Sequence, residues 1–190
     1  MMEQFRVGYA LCGSFCTYET VFPVMEALAQ KHRVIPIFSF AAGSIDSRFG
    51  MAADHLARAA AICGVKPLQN IPDVEPIGPK QLLDVLLIAP CTGNTLAKLA
   101  HSIADTPVTM AAKSHLRNGG PVVLGISTND GLAGAAENIG KLLGRKHYYF
   151  IPFGQDDPQA KPTSLVADFS RTEQALLAAL EGRQLQPVLL

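Results

Sequence analysis

The chain lacks net charge: its sixteen Lys and Arg balance sixteen Asp and Glu. No positive field gathers phosphate backbones or anionic lipid, so a nucleic-acid or membrane partner is not expected. Cysteine is sparse, with four residues at Cys12, Cys16, Cys63 and Cys91; these show neither the density of a secreted disulfide scaffold nor CxxC spacing, and are read as free thiols. The five histidines form no HxxxH or HExxH pattern, so no metal is expected. GxGxxG and GxxxxGK[ST] are missing, which excludes the usual dinucleotide fingerprint and triphosphate loop. A secretory signal or membrane span is also missing. The opening MMEQFRVGYALCGS places Glu3 and only Arg6 before a short apolar run, and a cytoplasmic location is expected.

What remains is a chain of 190 residues, 48% hydrophobic, with no tryptophan and sixteen glycines. That composition suits strands and helices joined by short glycine turns in one domain. Strands are expected at Gln4–Leu11, Arg33–Phe40, Leu82–Ala89, Pro121–Ile126 and His147–Pro152, from their runs of β-branched and apolar residues. Helices are expected after Thr17, which is placed to cap, and over Phe49–Cys63, Thr95–Ile103, Met110–Leu116, Gly131–Leu143 and Ser170–Leu180. Gly64 should stop the second helix, and the small residues 41–44 should make a turn. Residues 65–81, with Pro67, Pro72, Pro76 and Pro79, read as an irregular connector of a length often tied to function. Residues 153–190 read as an extended segment followed by a helix.

The alternation implies an α/β fold, a right-handed doubly wound parallel sheet with helices on both faces and its ligand site at the strand carboxyl ends. Three turns there are small and polar: Cys12-Gly13-Ser14, Pro90-Cys91-Thr92-Gly93-Asn94-Thr95 and Ser127-Thr128-Asn129-Asp130. Gly13 and Ser14 before a helix suit either a phosphate or a simple tight turn. Two hydroxyls, an amide and a thiol in the second turn exceed what helix capping needs, and suit a ligand with several hydrogen-bonding edges. Cys12 and Cys16 are read as packing residues near the first turn. Cys91 is either a reactive thiol or a small hydrophobe lining the pocket. His32 reads as a helix C-terminal residue and His55 as a satisfied surface or interface group. Asp156-Asp157 reads as a loop turn. Asp130 is the better general-base candidate, and equally a helix cap.

The run PCTGNTLAKLAHSIADT resembles the Pro-Ala-Ser-Ala-Asn-Thr motif, with its trailing Lys-Ile-Ala and Gly-Ile-Ala-Asp, of the homo-oligomeric flavin-containing cysteine decarboxylase superfamily. The resemblance implies a flavodoxin-like domain binding FMN at the strand carboxyl ends. Its cofactor residues would be Gly13 and Ser14 on the phosphate side, then Ser39, Pro90, Cys91, Thr92, Asn94, Thr95 and Asn129. Asn129 stands where the family's Pro-x-Met-Asn motif has its asparagine, but Ser127 and Thr128 replace the preceding residues. The family's decarboxylases carry a histidine ahead of the central strand; PLQNIPDVEPIGPK has none, so decarboxylation of a cysteine-type substrate is the rival reading.

Within the superfamily, EPIGPK, APCTGNTLAKLA, TMAAKSHLRN and YFIPFGQDDPQAKPTSLVADF resemble the dipicolinate-forming branch of spore-forming bacteria. That resemblance implies oxidation of a dihydrodipicolinate-type ring to pyridine-2,6-dicarboxylate in the sporulation mother cell, together with the separate A subunit of dipicolinate synthase. FMN would accept hydride, or a nicotinamide cofactor, NAD(P), would act through the partner subunit. Asn129 and Asp130 are the catalytic candidates. The small cyclic dicarboxylate needs fixed positive charge, for which Lys113, Arg117 and Lys161 lie in the matching runs. A homo-oligomer is implied, and a non-catalytic scaffold is the remaining alternative.

Overall fold

The structure, a computed structural model, describes residues 4–190, so Glu3 of the opening segment lies outside it. Five parallel strands form the centre: β1 (Arg6–Leu11), β2 (Arg33–Phe38), β3 (Val85–Cys91), β4 (Val122–Thr128) and β5 (Tyr148–Phe150). They lie in the order β2-β1-β3-β4-β5, which is the flavodoxin-like order. β3 is buried at all seven positions and β4 at six of seven, because a parallel strand inside a doubly wound sheet is covered on both faces. Arg6 ties the entry of β1 to that of β3, with Nη2 and Nε reaching Asp84 at 2.6 and 3.1 Å.

Side chains alternate across the sheet. Tyr9 faces α1 (Tyr18–Ala29), its hydroxyl donating to the Val21 carbonyl at 3.0 Å. On the same face Gly125 leaves room for Phe169, whose ring would lie 2.8 Å from an added Cβ; Phe169 opens the turn into α8 (Thr172–Leu180). The opposite face carries α5 (Gly93–Ala100) and α6 (Pro107–Leu116), α6 burying Val108, Ala111 and Ala112. The remaining helices are α2 (Phe40–Ser44), α3 (Ala52–Cys63), α4 (Ile71–Val74) and α7 (Ala136–Leu143).

Several expectations change. The sheet gains two short strands, β6 (Phe153–Gly154) and β7 (Leu165–Ala167), and β7 runs antiparallel to the end of β4 through Ser127–Val166 and Thr128–Leu165. No alternation announced them, since two or three residues are too few to show a period of two. Residues 40–44 form a helical turn, capped by Ser39 Oγ on the Ala42 amide at 3.1 Å. β3 begins at Val85, because Leu82 and Leu83 still belong to the approach. The helices expected from Thr95 and Met110 start earlier, at Gly93 and Pro107, where Thr92 and Thr106 cap them. The one expected from Gly131 starts at Ala136, the intervening residues folding into turns around Asp130. Thr17 does not cap α1; its hydroxyl donates to the Ser14 carbonyl at 2.7 Å instead. Gly64 does stop α3, in the left-handed conformation at φ 66°.

The connector is not irregular throughout. Ile71–Val74 and Glu75–Ile77 form single helical turns, since prolines at the start of each lack only an amide that such a start leaves unbonded. Ser114 on α6 fixes it: its Oγ accepts from the Gly78 amide and donates to the Glu75 carbonyl, both at 2.8 Å. His55 is buried rather than on the surface, packed edge-on to Tyr18 at 4.7 Å and stacked on Phe22 at 5.8 Å.

Candidate functional site

Four turns meet at the carboxyl edge of the sheet, one after each of β1 to β4. The first and fourth are joined by Ser14 Oγ and Ser127 Oγ at 2.8 Å. Thr95 Oγ1 donates to Cys12 Sγ at 3.3 Å, joining the third to the first. The second approaches the first through the Ser39 amide, bonded to the Leu11 carbonyl at 3.0 Å, and through Ala41, whose Cβ would sit 3.4 Å from a Cβ at position 13. Gly13, Ser14, Ser39, Pro90, Cys91, Thr92, Asn94, Thr95, Asn129 and Asp130 therefore belong to one edge.

Within this cluster the thiols are silenced. Burial pushes Cys12 up to about 11 and Cys91 well above its ordinary value, so both pack as small hydrophobes. The Asn94 and Asn129 side chains are exposed and make no hydrogen bond among the described residues. The amides of Gly13 and Ser14 likewise find no acceptor there, and neither do those of Gly93 and Asn94 at the start of α5.

These two sets of amides differ in what faces them. A Cβ on Gly93 would meet Asp130 Oδ1 and Thr128 Oγ1, each at 2.8 Å. The Asp130 carboxylate, held by the Thr128 hydroxyl, thus already answers the partial positive charge at the start of α5. At Gly13 and Ser14 no carboxylate intervenes, and α1 follows directly. The first turn is the one left open to an anion.

The cluster includes partners that the sequence did not announce. Ser127 stood out there only as a departure from a motif, and its hydroxyl proves to bridge two turns. The loop 155–164 closes on the fourth turn, with Thr163 Oγ1 donating to the Asn129 carbonyl at 2.6 Å and Ser164 Oγ to the Thr128 carbonyl at 3.3 Å. No local motif encodes contacts across so many residues. Lys161 lies in this loop, paired with Asp156 at 3.0 Å.

Lys113 and Arg117 are not at this edge. They lie near the C-terminal end of α6 and share a cavity with His147 and Tyr148, which lead into β5. That is the amino edge of the sheet, because α6 runs antiparallel to the strands it covers. Residue type and motif membership could not tell one end of a helix from the other. Among the described residues no group of three or more His, Cys, Asp or Glu is arranged for a metal, and no helix is long and apolar enough to cross a membrane.

A flavodoxin-like sheet with small polar turns gathered at its carboxyl edge defines a class, and the Flavoprotein family model matches residues 1–133. The chain belongs to the Flavoprotein family. It is 46% identical over 185 residues to the B subunit of dipicolinate synthase from Bacillus subtilis (strain 168), covering 97% of this chain and 92% of that protein. The crystal structure of the dipicolinate synthase B subunit from Bacillus halodurans superposes with a TM-score of 0.90 at 44% identity, over 98% of this chain and 96% of that one. The crystal structure of Burkholderia xenovorans DmrB in complex with FMN shares the fold, with a TM-score of 0.69 at 18% identity over 95% and 98% of the two chains.

Proposed function

We propose that this protein is the B subunit of a dipicolinate synthase, working with the A subunit of dipicolinate synthase to oxidise a dihydrodipicolinate-type ring to pyridine-2,6-dicarboxylate during sporulation. The observation that carries this reading is the 46% identity over 97% of the chain to a protein of that name. The four converging turns supply a site of the right chemistry. FMN is the proposed cofactor, and its residues are those at the carboxyl edge.

The open amides of Gly13 and Ser14, with the start of α1 behind them, suit the phosphate. The hydroxyls of Ser14 and Thr92 and the exposed Asn94 amide suit the polyol chain and ring edge. Thr95 and Ser39 hold the turn backbones, while Pro90 and Cys91 line the floor. Bound there, FMN would supply a hydride acceptor beside the substrate.

Aromatising the ring removes a hydride and a proton. Asp130, exposed at the same edge, is placed to take the proton, and Asn129 to orient the ring through its unpaired amide. The Thr128 hydroxyl, donating to Asp130, holds that carboxylate as an acceptor. The partner, the A subunit, would bring the substrate and, where a nicotinamide is used, the NAD(P). A homo-oligomer in the mother-cell cytoplasm completes the proposal.

The test is the visible absorption spectrum of the chain after incubation with FMN and removal of the excess. Near-stoichiometric flavin bands are expected, with retention lost or sharply reduced in Asn94→Ala and in Thr92→Val. Full retention in both variants would remove the site assignment. Turnover by the isolated A subunit, equal to that of the mixture, would remove the catalytic role.

A further inference from the structure

The cavity at the amino edge of the sheet is chemically unlike the rest of the surface. It lies between the C-terminal ends of α5 and α6 and the turn into β5, and encloses about 400 Å³. Four cationic side chains line it, Lys113, Arg117, Arg145 and Lys146, and no carboxylate does. In a chain whose charges balance overall, that is a concentrated positive field.

Neutralising the helix ends accounts for only one of the four. Arg145 Nη1 donates to the Leu99 carbonyl at 3.0 Å, at the end of α5, and approaches Ser102 Oγ at 3.4 Å. Lys113, Arg117 and Lys146 make no ion pair or side-chain hydrogen bond among the described residues. The nearby Asp105 is engaged by Lys98 at 2.7 Å. Beneath the cations the wall is apolar, formed by Leu99, Leu116 and the buried Tyr148.

We propose that this cavity is a second ligand site, separate from the carboxyl-edge turns, and that it takes a planar aromatic dicarboxylate. Two arginines offer flat donor forks that match carboxylates, the lysines supply further charge, and the apolar wall covers a ring face. Inorganic phosphate would use the cations and leave the wall unfilled. The choice of pyridine-2,6-dicarboxylate as probe rests on the function proposed above; the anion chemistry of the cavity does not.

The experiment is titration calorimetry of the full chain with pyridine-2,6-dicarboxylate in metal-free buffer, with benzoate and inorganic phosphate in parallel. Saturable binding of the dicarboxylate is expected both in the native chain and in Asn94→Ala. Removing two charge-assisted partners with Arg117→Gln and Lys146→Gln, both exposed positions, should weaken it by about tenfold or more. Benzoate and phosphate should each bind more weakly than the dicarboxylate. No saturable binding, equal binding of phosphate, or loss in Asn94→Ala with retention in the double variant would each overturn the proposal. Flavin retention by the double variant is expected to stay native, so failure of the flavin reading shows separately as a colourless native chain.

Discussion

Gly93 and Asp130 make the clearest residue-scale pairing. The space that a Cβ at position 93 would fill is occupied by Asp130 Oδ1 and Thr128 Oγ1, so the glycine and the departures in the fourth turn belong together. Gly93→Ala must push the carboxylate away from α5, at a cost on the order of 1–3 kcal/mol where the surroundings cannot yield. The expected outcome is a folded chain with reduced flavin retention, measured by circular dichroism and visible absorbance on the same sample. Retention equal to the native chain would show that Asp130 can move without disturbing the site. Position 93 could be read from the sequence only as a residue in a motif, because its partner lies a full strand and two helices further along the chain.

At the scale of elements, the legible parts were those with a long apolar run or a strong stop signal: β3, β4, α3 with Gly64, and the order of strand and helix. The prolines of 65–81 argued correctly against a strand or long helix, but they concealed two single turns bonded to α6. Ser114 is the key to that packing, since it satisfies one amide and one carbonyl of the connector at once. Ser114→Ala leaves both without that partner, and should lower stability by about 1–3 kcal/mol, read as a shift in denaturant midpoint at constant slope. The carboxyl-edge turns were legible because each follows a strand directly. Lys113 and Arg117 were legible only as basic residues, and their edge of the sheet followed from the direction of α6.

The whole molecule carries a pH dependence that composition does not show. His32, His55 and His115 are each buried, and burial lowers the pKa of all three below the ordinary 6.5. Glu173 partly opposes this at His32, as the Pro121 carbonyl does at His115. The unfolded chain therefore binds protons more readily than the folded one over the interval below 6.5. Stability is expected to be fully present above that value and to fall as the pH drops through it towards the lowered folded values. Melting temperature measured from about pH 7.5 to about pH 5 should decline, and His115→Gln should flatten the slope even if it lowers the starting point. A flat profile in the native chain would contradict the role of the buried rings.

The antiparallel attachment of β7 to the end of β4 also sets an order in time. Ser127 and Thr128 receive their pairing from Val166 and Leu165, and Ser164 bonds the Thr128 carbonyl from 36 positions further on. As the polypeptide leaves the ribosome, the first three turns have their local supports well before the fourth does. A chain halted after β5 would hold nearly every side chain of the carboxyl-edge cluster and still lack the strand that braces its last corner.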